Sequence, residues 1–138
     1  MKTAFLGLGS NIGEREANID RALAALSLLP GTLVTRVSGY YETDPVGYTE
    51  QAKFINAAAE VRTELSPNAL LGACLGVEAA MGRERPFKNS PRIIDIDLLL
   101  YEGAEMDAPE LTLPHPRMHE RDFVLIPLKE LGAIKDEE

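Results

Sequence analysis

The sequence predicts an α+β domain, with a mainly antiparallel sheet and helices packed on one face. Three observations carry that expectation. Short apolar runs rich in β-branched residues and tyrosine recur at 3–8, 32–43, 54–63 and 93–101. Between them lie two longer segments whose apolar residues return every three or four positions. The 138 residues, 45% hydrophobic and 26% charged, are enough for one core and contain no repeat, low-complexity tract or linker. A single domain over 1–138 follows.

Each element has its own signature. Thr3 to Leu8 reads as a strand, and the following GLGSNIG has the spacing GxGxxxG, which suggests a turn leading into a helix rather than a dinucleotide fingerprint. Asn11 followed by Glu14 resembles a capping box, and Ile19, Leu23 and Leu26 share one helical face. Pro30–Gly31 stops that helix. Thr32 to Thr43 should be one long strand, 44–51 a loop, and Phe54 to Thr63 a strand. Ser66–Pro67 caps and opens a second helix, on which Leu70, Cys74, Val77 and Met81 keep helical spacing until Gly82. Ile93 to Tyr101 is a strand. The remainder, with prolines at 109, 114, 116 and 127, should be an irregular C-terminal extension, with a short strand near Phe123 to Ile126 and a closing turn of helix. The order β-α-β-β-α-β is the ferredoxin-like arrangement.

Bulk chemistry excludes several functions. A net charge of −8 argues against a nucleic-acid or membrane-surface binder, which needs a basic face. No apolar run reaches the roughly 18 residues of a membrane span, and the start, MKTAFLGLGSN, is too short in apolar residues for a signal peptide. The single cysteine, Cys74, excludes an internal disulfide, fits a reducing cytoplasm and reads as core filler. A cytoplasmic monomer is the expectation.

The last strand poses the chemical problem. In PRIIDIDLLLY two aspartates, Asp95 and Asp97, interrupt an apolar run. Strand alternation puts both on one face, with Cα atoms about 6.5 Å apart, and Ile94, Ile96, Leu98 and Leu100 on the other, against the helices. The aspartates then face the side without helices. Carboxylates this close suit a hard cation such as Mg²⁺; salt bridges to Arg83, Arg85 or Arg92 are the other reading. Arg83, Arg85, Lys88 and Arg92 fall within ten residues in an acidic protein. Such a cluster feeding a carboxylate pair is what a Mg²⁺-bound polyphosphate requires, since the guanidiniums neutralise the oxygens the metal leaves. A solvated charged loop is the bland alternative.

Downstream, LTLPHPRMHERDF supplies His115, Arg117, His119 and Arg121. The two histidines are four apart, but Pro114 and Pro116 oppose the helix that would align them on zinc. His115 is better placed as a rigid donor and Arg121 as a phosphate contact, with His119 structural. For Phe54 and Phe123 the residues alone favour core over stacking on a flat ring.

Taken in order, GLGSNIG, YYETDPVG, FINAAAEV, PRIIDIDLLLY and LTLPHPRMHERDFVLIPL resemble the 6-hydroxymethyl-7,8-dihydropterin pyrophosphokinases of folate biosynthesis, from about Thr3 to Leu131. The resemblance implies transfer of the β,γ-pyrophosphoryl group of ATP to the pterin's hydroxymethyl oxygen, with release of AMP. It makes Asp95 and Asp97 ligands of two Mg²⁺ ions. Arg83 and Arg92 become triphosphate contacts supported by Arg85, and Glu78, Leu98, Thr112, His115 and Arg121 fall on nucleotide positions. Thr43, Pro45 and Val46 would line the pterin pocket and Asn56 would pair with the ring edge. Phe54 and Phe123 would sandwich that ring, the reverse of the residues-only reading. Loops 83–91 and 44–52 are expected to close over ATP and pterin. Four positions depart from the family pattern: Asn89–Ser90 replace an aromatic-Gly pair, Glu110 an arginine of some members, and Leu75 a polar residue.

Two rival functions share features of this sequence. An RNA-recognition module has the same element order but wants aromatics and basic residues on its open sheet face. A DxD nucleotide-sugar transferase needs more chain than is here.

Overall fold

The computed structural model describes residues 1–44, 50–82 and 91–134. Within them β1 (Lys2–Ser10), α1 (Arg15–Ser27), β2 (Thr32–Val37), β3 (Tyr41–Thr43), β4 (Phe54–Thr63), α2 (Pro67–Ala80) and β5 (Asp95–Tyr101) form the expected βαββαβ core. A hairpin of β6 (Met106–Ala108) and β7 (Leu111–Leu113), a 3-10 turn (Met118–Glu120) and α3 (Asp122–Glu130) follow. The main sheet runs β2-β4-β1-β5, with β3 also on β4, and its pairings are antiparallel. This is an α+β, ferredoxin-like sheet.

Alternation along the strands builds the main core. Ala4, Leu6 and Leu8 of β1, Ile55, Ala57, Ala59 and Val61 of β4, and Ile96 and Leu98 of β5 point to one side. There they meet Ile19, Leu23 and Leu26 of α1 and Leu70, Cys74 and Val77 of α2, all buried as the helical spacing requires. Each fully buried Leu or Ile contributes about 1.5–3 kcal/mol relative to exposure. Ser66 caps α2 by accepting from the Ala69 amide at 3.2 Å, with Pro67 in the first turn. Gly82, at φ 86°, turns the chain out of that helix, where a side chain would be strained. Cys74 is fully buried, and desolvation pushes its thiol up to about 12; it is core filler.

Six expectations are corrected. The predicted strand over 32–43 is broken into β2 and β3 at Ser38–Gly39–Tyr40: the Ala58 amide donates to Ser38 Oγ at 2.8 Å, so a hydroxyl stands in where a strand carbonyl would accept. Asn11 does not cap α1, whose N-cap is Glu14 without a side-chain bond. Leu100 is not on the side of α1 and α2. Phe5 pairs with Leu100 but Leu6 with Leu98, so Leu99 is an extra, bulged residue, and beyond it Leu100 packs on the second face.

Residues 123–126 are not a strand but part of α3. Val124, Leu128 and Leu131 recur at helical spacing and bury against Ala58 and Leu99, which outweighs the hydrogen bond that Pro127 cannot donate. The side opposite α1 and α2 is therefore half covered: α3 occupies the part around Phe5, Ala58 and Leu99. The extension is also more regular than expected, because β6 and β7 pair Met106 with Leu113 and Ala108 with Leu111. Leu111 and Leu113 anchor that hairpin in the main core.

Candidate active site

The uncovered half of the second face is the floor of a cleft of about 760 Å³. Two rows of cross-strand neighbours make it. Asn56 of β4 lies opposite Gly9 of β1, which lies opposite Asp95 of β5. One pleat along, Ala58, Gly7 and Asp97 form the second row, whose Ala58 end lies under α3. Each row spans two strand spacings, about 10 Å, with a glycine in the middle. A Cβ at Gly9 would lie 3.0 Å from Asn56 Oδ1, and one at Gly7 3.2 Å from a methyl of Leu99. Gly9 is thus strand floor kept bare between a polar amide and a carboxylate, and Gly7 between Ala58 and Asp97, rather than only part of a turn before a helix.

At the acidic end, Asp95 and Asp97 project from the same side of β5, both partly exposed. Arg92 Nη1 stands 3.6 Å from Asp95 Oδ2, so the salt bridge considered from the sequence is present alongside the paired carboxylates. Glu78, 1% exposed, reaches across from α2 and accepts the Ile96 amide at 2.7 Å. Ile96 lies between the aspartates, so this bond holds the stretch of β5 that aims them. Leu98 closes the same wall of the cleft.

His115, Thr112 and Arg121 also line the cleft. The His115 amide donates to the Leu99 carbonyl at 2.9 Å, and its ring Nδ1 accepts the Arg117 amide at 3.3 Å. Burial first, then the guanidiniums of Arg121 and Arg117, hold the imidazole below its usual 6.5. Neutral, with Nδ1 accepting, it keeps its proton on Nε2 and is a hydrogen-bond donor there. The Arg121 guanidinium sits 5.6 Å from the centre of the Phe123 ring, within cation–π range.

At the amide end, Asn56 is 6% exposed and donates through Nδ2 to Thr43 Oγ1 at 2.6 Å. That bond orients the Asn56 side chain against the floor. Phe54 and Phe123 are both half-buried lining residues, from β4 and α3. Twelve of the anticipated site residues therefore share one cleft: Thr43, Phe54, Asn56, Glu78, Arg92, Asp95, Asp97, Leu98, Thr112, His115, Arg121 and Phe123. Pro45, Val46, Arg83 and Arg85, and most of the two loops expected to close, lie outside the described residues. Glu110 and Leu75, two of the departures, also line the cleft.

Sequence reasoning missed Gly7 and Gly9 as floor and Asn11 as anything but a cap. Asn11 is 3% exposed and fully engaged with residues 51, 52 and 92. The strand-like alternation of Gly7 and Gly9 with Leu6 and Leu8 was the available signal for the first pair.

Fold and cleft together define a ferredoxin-like α+β enzyme whose exposed sheet carries an acidic pair beside basic side chains. The chain belongs to the 7,8-dihydro-6-hydroxymethylpterin-pyrophosphokinase family, whose model matches residues 5–133. It is 49% identical over 132 residues to a 2-amino-4-hydroxy-6-hydroxymethyldihydropteridine pyrophosphokinase of Methylorubrum extorquens, covering 96% of this chain and 84% of that protein. The enzyme of the same name from Bacillus subtilis is 46% identical over 128 residues, 93% of this chain and 77% of that protein. The folic acid synthesis protein fol1 of Schizosaccharomyces pombe is 42% identical across 95% of this chain, which spans 18% of that longer protein. The chain is accordingly an enzyme, a pyrophosphokinase.

Proposed function

We propose that the chain transfers the pyrophosphoryl group of ATP to the hydroxymethyl oxygen of 6-hydroxymethyl-7,8-dihydropterin, releasing AMP, as a cytoplasmic monomer in folate biosynthesis. The observation that carries this reading is the row Asn56–Gly9–Asp95 on the floor, an amide at one end and a carboxylate at the other with a bare glycine between, and Asp97 one pleat along. A flat heterocycle with one protruding hydroxymethyl group fits that order: ring over Asn56, reacting oxygen toward Asp95 and Asp97.

At the pterin end, Asn56 supplies donor and acceptor to the ring edge, Thr43 orients it, and Phe54 and Phe123 stack on the ring. At the nucleotide end, Arg92, Arg121 and the Nε2–H of His115 neutralise and orient phosphate oxygens. Glu78 holds the β5 backbone, while Leu98 and Thr112 contact the nucleoside. Arg83 and Arg85 add charge to the triphosphate in the same reading. Asp95 and Asp97 would hold Mg²⁺. Two carboxylates are a suitable donor set, because Mg²⁺ usually takes only one or two and completes its shell with phosphate and water. Among the described residues no group of three or more His, Cys, Asp or Glu forms a cage. When bound, the metal offsets polyphosphate charge and the charge that develops on the leaving group.

In the transfer, the hydroxymethyl oxygen bonds to the β phosphorus while the bond from that phosphorus to the bridging oxygen of AMP breaks, and the hydroxyl proton is released. A loose transition state needs little help from a base, so catalysis is mostly the alignment of the two substrates and the screening of charge. RNA stacking is not favoured: α3 covers part of the sheet face and two aspartates stand on the open part.

Purified protein incubated with ATP, MgCl₂ and 6-hydroxymethyl-7,8-dihydropterin should yield AMP and a pterin diphosphate in equal amounts, separable by anion-exchange chromatography. ADP as the nucleotide product would mean an ordinary kinase and would refute the reading.

A further inference from the structure

Asn11 joins the two ends of the cleft. It follows β1 directly, two residues after Gly9, and is 3% exposed. Its Oδ1 accepts the Arg92 amide at 2.7 Å, and its own amide donates to the Arg92 carbonyl at 3.0 Å. Its Nδ2 donates to Gln51 Oε1 at 2.7 Å and to the Ala52 carbonyl at 3.1 Å. Both side-chain protons and the carbonyl are in use. The turn that presents Asn11 is fixed in its own right: Asn18 of α1, also 3% exposed, donates to Ser10 Oγ at 3.2 Å and to the Ile12 carbonyl at 2.8 Å. Neither asparagine caps α1, so the α1 N-terminus does not account for their burial.

We infer that Asn11 is a positioning residue that sets both ends of the active cleft, an inference that rests on the proposed function for the identity of the two ligands. Arg92 is held by both backbone groups and is three residues before Asp95, to which its guanidinium is paired at 3.6 Å. Residues 51 and 52 lead into Phe54 and Asn56 of β4. Asn11 therefore ties the backbone entering the carboxylate strand to the backbone entering the amide strand. An apolar replacement at this buried position removes three part-buried hydrogen bonds, those to Gln51 Oε1, the Ala52 carbonyl and the Arg92 amide. Arg92 then keeps only the backbone bond from residue 11, and the 51–52 segment loses its tie to Arg92.

The test is a double-mutant cycle read separately for the two substrates. Kinetic constants are measured for the wild type and for Asn11→Ala, Arg92→Ala, the double variant and Gln51→Ala, with melting curves for each. Asn11→Ala should raise KM for both ATP and pterin about tenfold, by loss of the part-buried hydrogen bonds that hold the two segments. The double variant should handle ATP no worse than Arg92→Ala within about twofold, because for ATP Asn11 acts by placing the Arg92 guanidinium, which Arg92→Ala already removes. Gln51→Ala should raise KM for the pterin and leave that for ATP unchanged. ATP effects of Asn11→Ala and Arg92→Ala that multiply in the double variant would overturn the inference, as would a Gln51→Ala that shifts both substrates equally. Should Asn11→Ala fail to fold, Asn11→Asp, which keeps the acceptor for the Arg92 amide, replaces it and should spare ATP more than pterin; an equal loss for both overturns the inference. The wild type serves as the control that separates the two levels: no turnover and no binding of either ligand by the wild type refutes the proposed function, whereas a working wild type with additive variants refutes only the role of Asn11.

Discussion

Replacing Gly9 by alanine puts a methyl group in the middle of the row that runs from Asn56 to Asp95. Its carbon would lie 3.0 Å from Asn56 Oδ1, 3.6 Å from Phe54 Cδ1 and 3.8 Å from the Ile55 carbonyl, where ordinary contact begins at 3.4 Å. Asn56 must give way by a few tenths of an ångström, and its Nδ2 bond to Thr43 at 2.6 Å opposes that shift. Relieving such an overlap costs about 1–3 kcal/mol. Opposing it, loss of glycine's freedom in the unfolded chain returns about 0.4–1 kcal/mol. Stability should thus change modestly, and the melting temperature should move by only a few degrees. Pterin binding should suffer more, because the methyl occupies floor and displaces the amide that reads the ring edge: about 1–3 kcal/mol, or about five- to 150-fold in Kd. Titration calorimetry with the pterin, beside a melting curve, measures both. Gly7→Ala is the comparison, since its methyl meets a Leu99 side-chain terminus at 3.2 Å, which can rotate away; pterin affinity should stay nearer the wild type. A folded Gly9→Ala protein whose pterin affinity is within twofold of wild type would refute the assignment of this row to the pterin.

Other substitutions probe the remaining walls. Asp97→Ala should cut turnover by orders of magnitude with an unchanged circular-dichroism spectrum; an active variant would remove the carboxylate-pair argument. Phe123→Ala should weaken pterin binding by about 1–3 kcal/mol if the ring is stacked, and unchanged affinity would return this residue to a packing role. For His115 the sign follows from its lowered pKa: the unfolded chain takes up the proton first, so stability is full above about 6.5 and declines as pH falls toward the depressed folded value. Thermal melts of wild type and His115→Gln between pH 8 and pH 5 should converge or cross as the wild type loses this contribution; parallel curves would contradict the burial of the imidazole.

The parts of this molecule legible in its sequence are those decided by local pattern. β4 was readable over its full length because Phe54 to Thr63 alternates between the two faces, and α2 because Ser66, Pro67 and Gly82 mark its ends by their own backbone chemistry. Asp95 and Asp97 stood out because a charged residue in an apolar strand demands an explanation. What stayed hidden depends on partners distant in sequence. α3 looks like a strand in FVLI and becomes a helix because Ala58 and Leu99 offer it a surface. The break at Ser38 rests on an amide twenty residues away. The bulge at Leu99 is a matter of register between β1 and β5, which no single strand reveals. Asn11 reads as a cap because its spacing to Glu14 matches one, while its partners are 40 and 81 residues along the chain.

The central claim is that the carboxylates at 95 and 97 hold a divalent ion against the phosphates of ATP. A crystal grown with Mg²⁺, a non-hydrolysable ATP analogue and the pterin tests it directly. The account predicts ion density within about 2.1 Å of an oxygen from each aspartate, with phosphate oxygens completing the shell. Carboxylates bound only by guanidiniums, with the analogue's phosphates elsewhere, would contradict it.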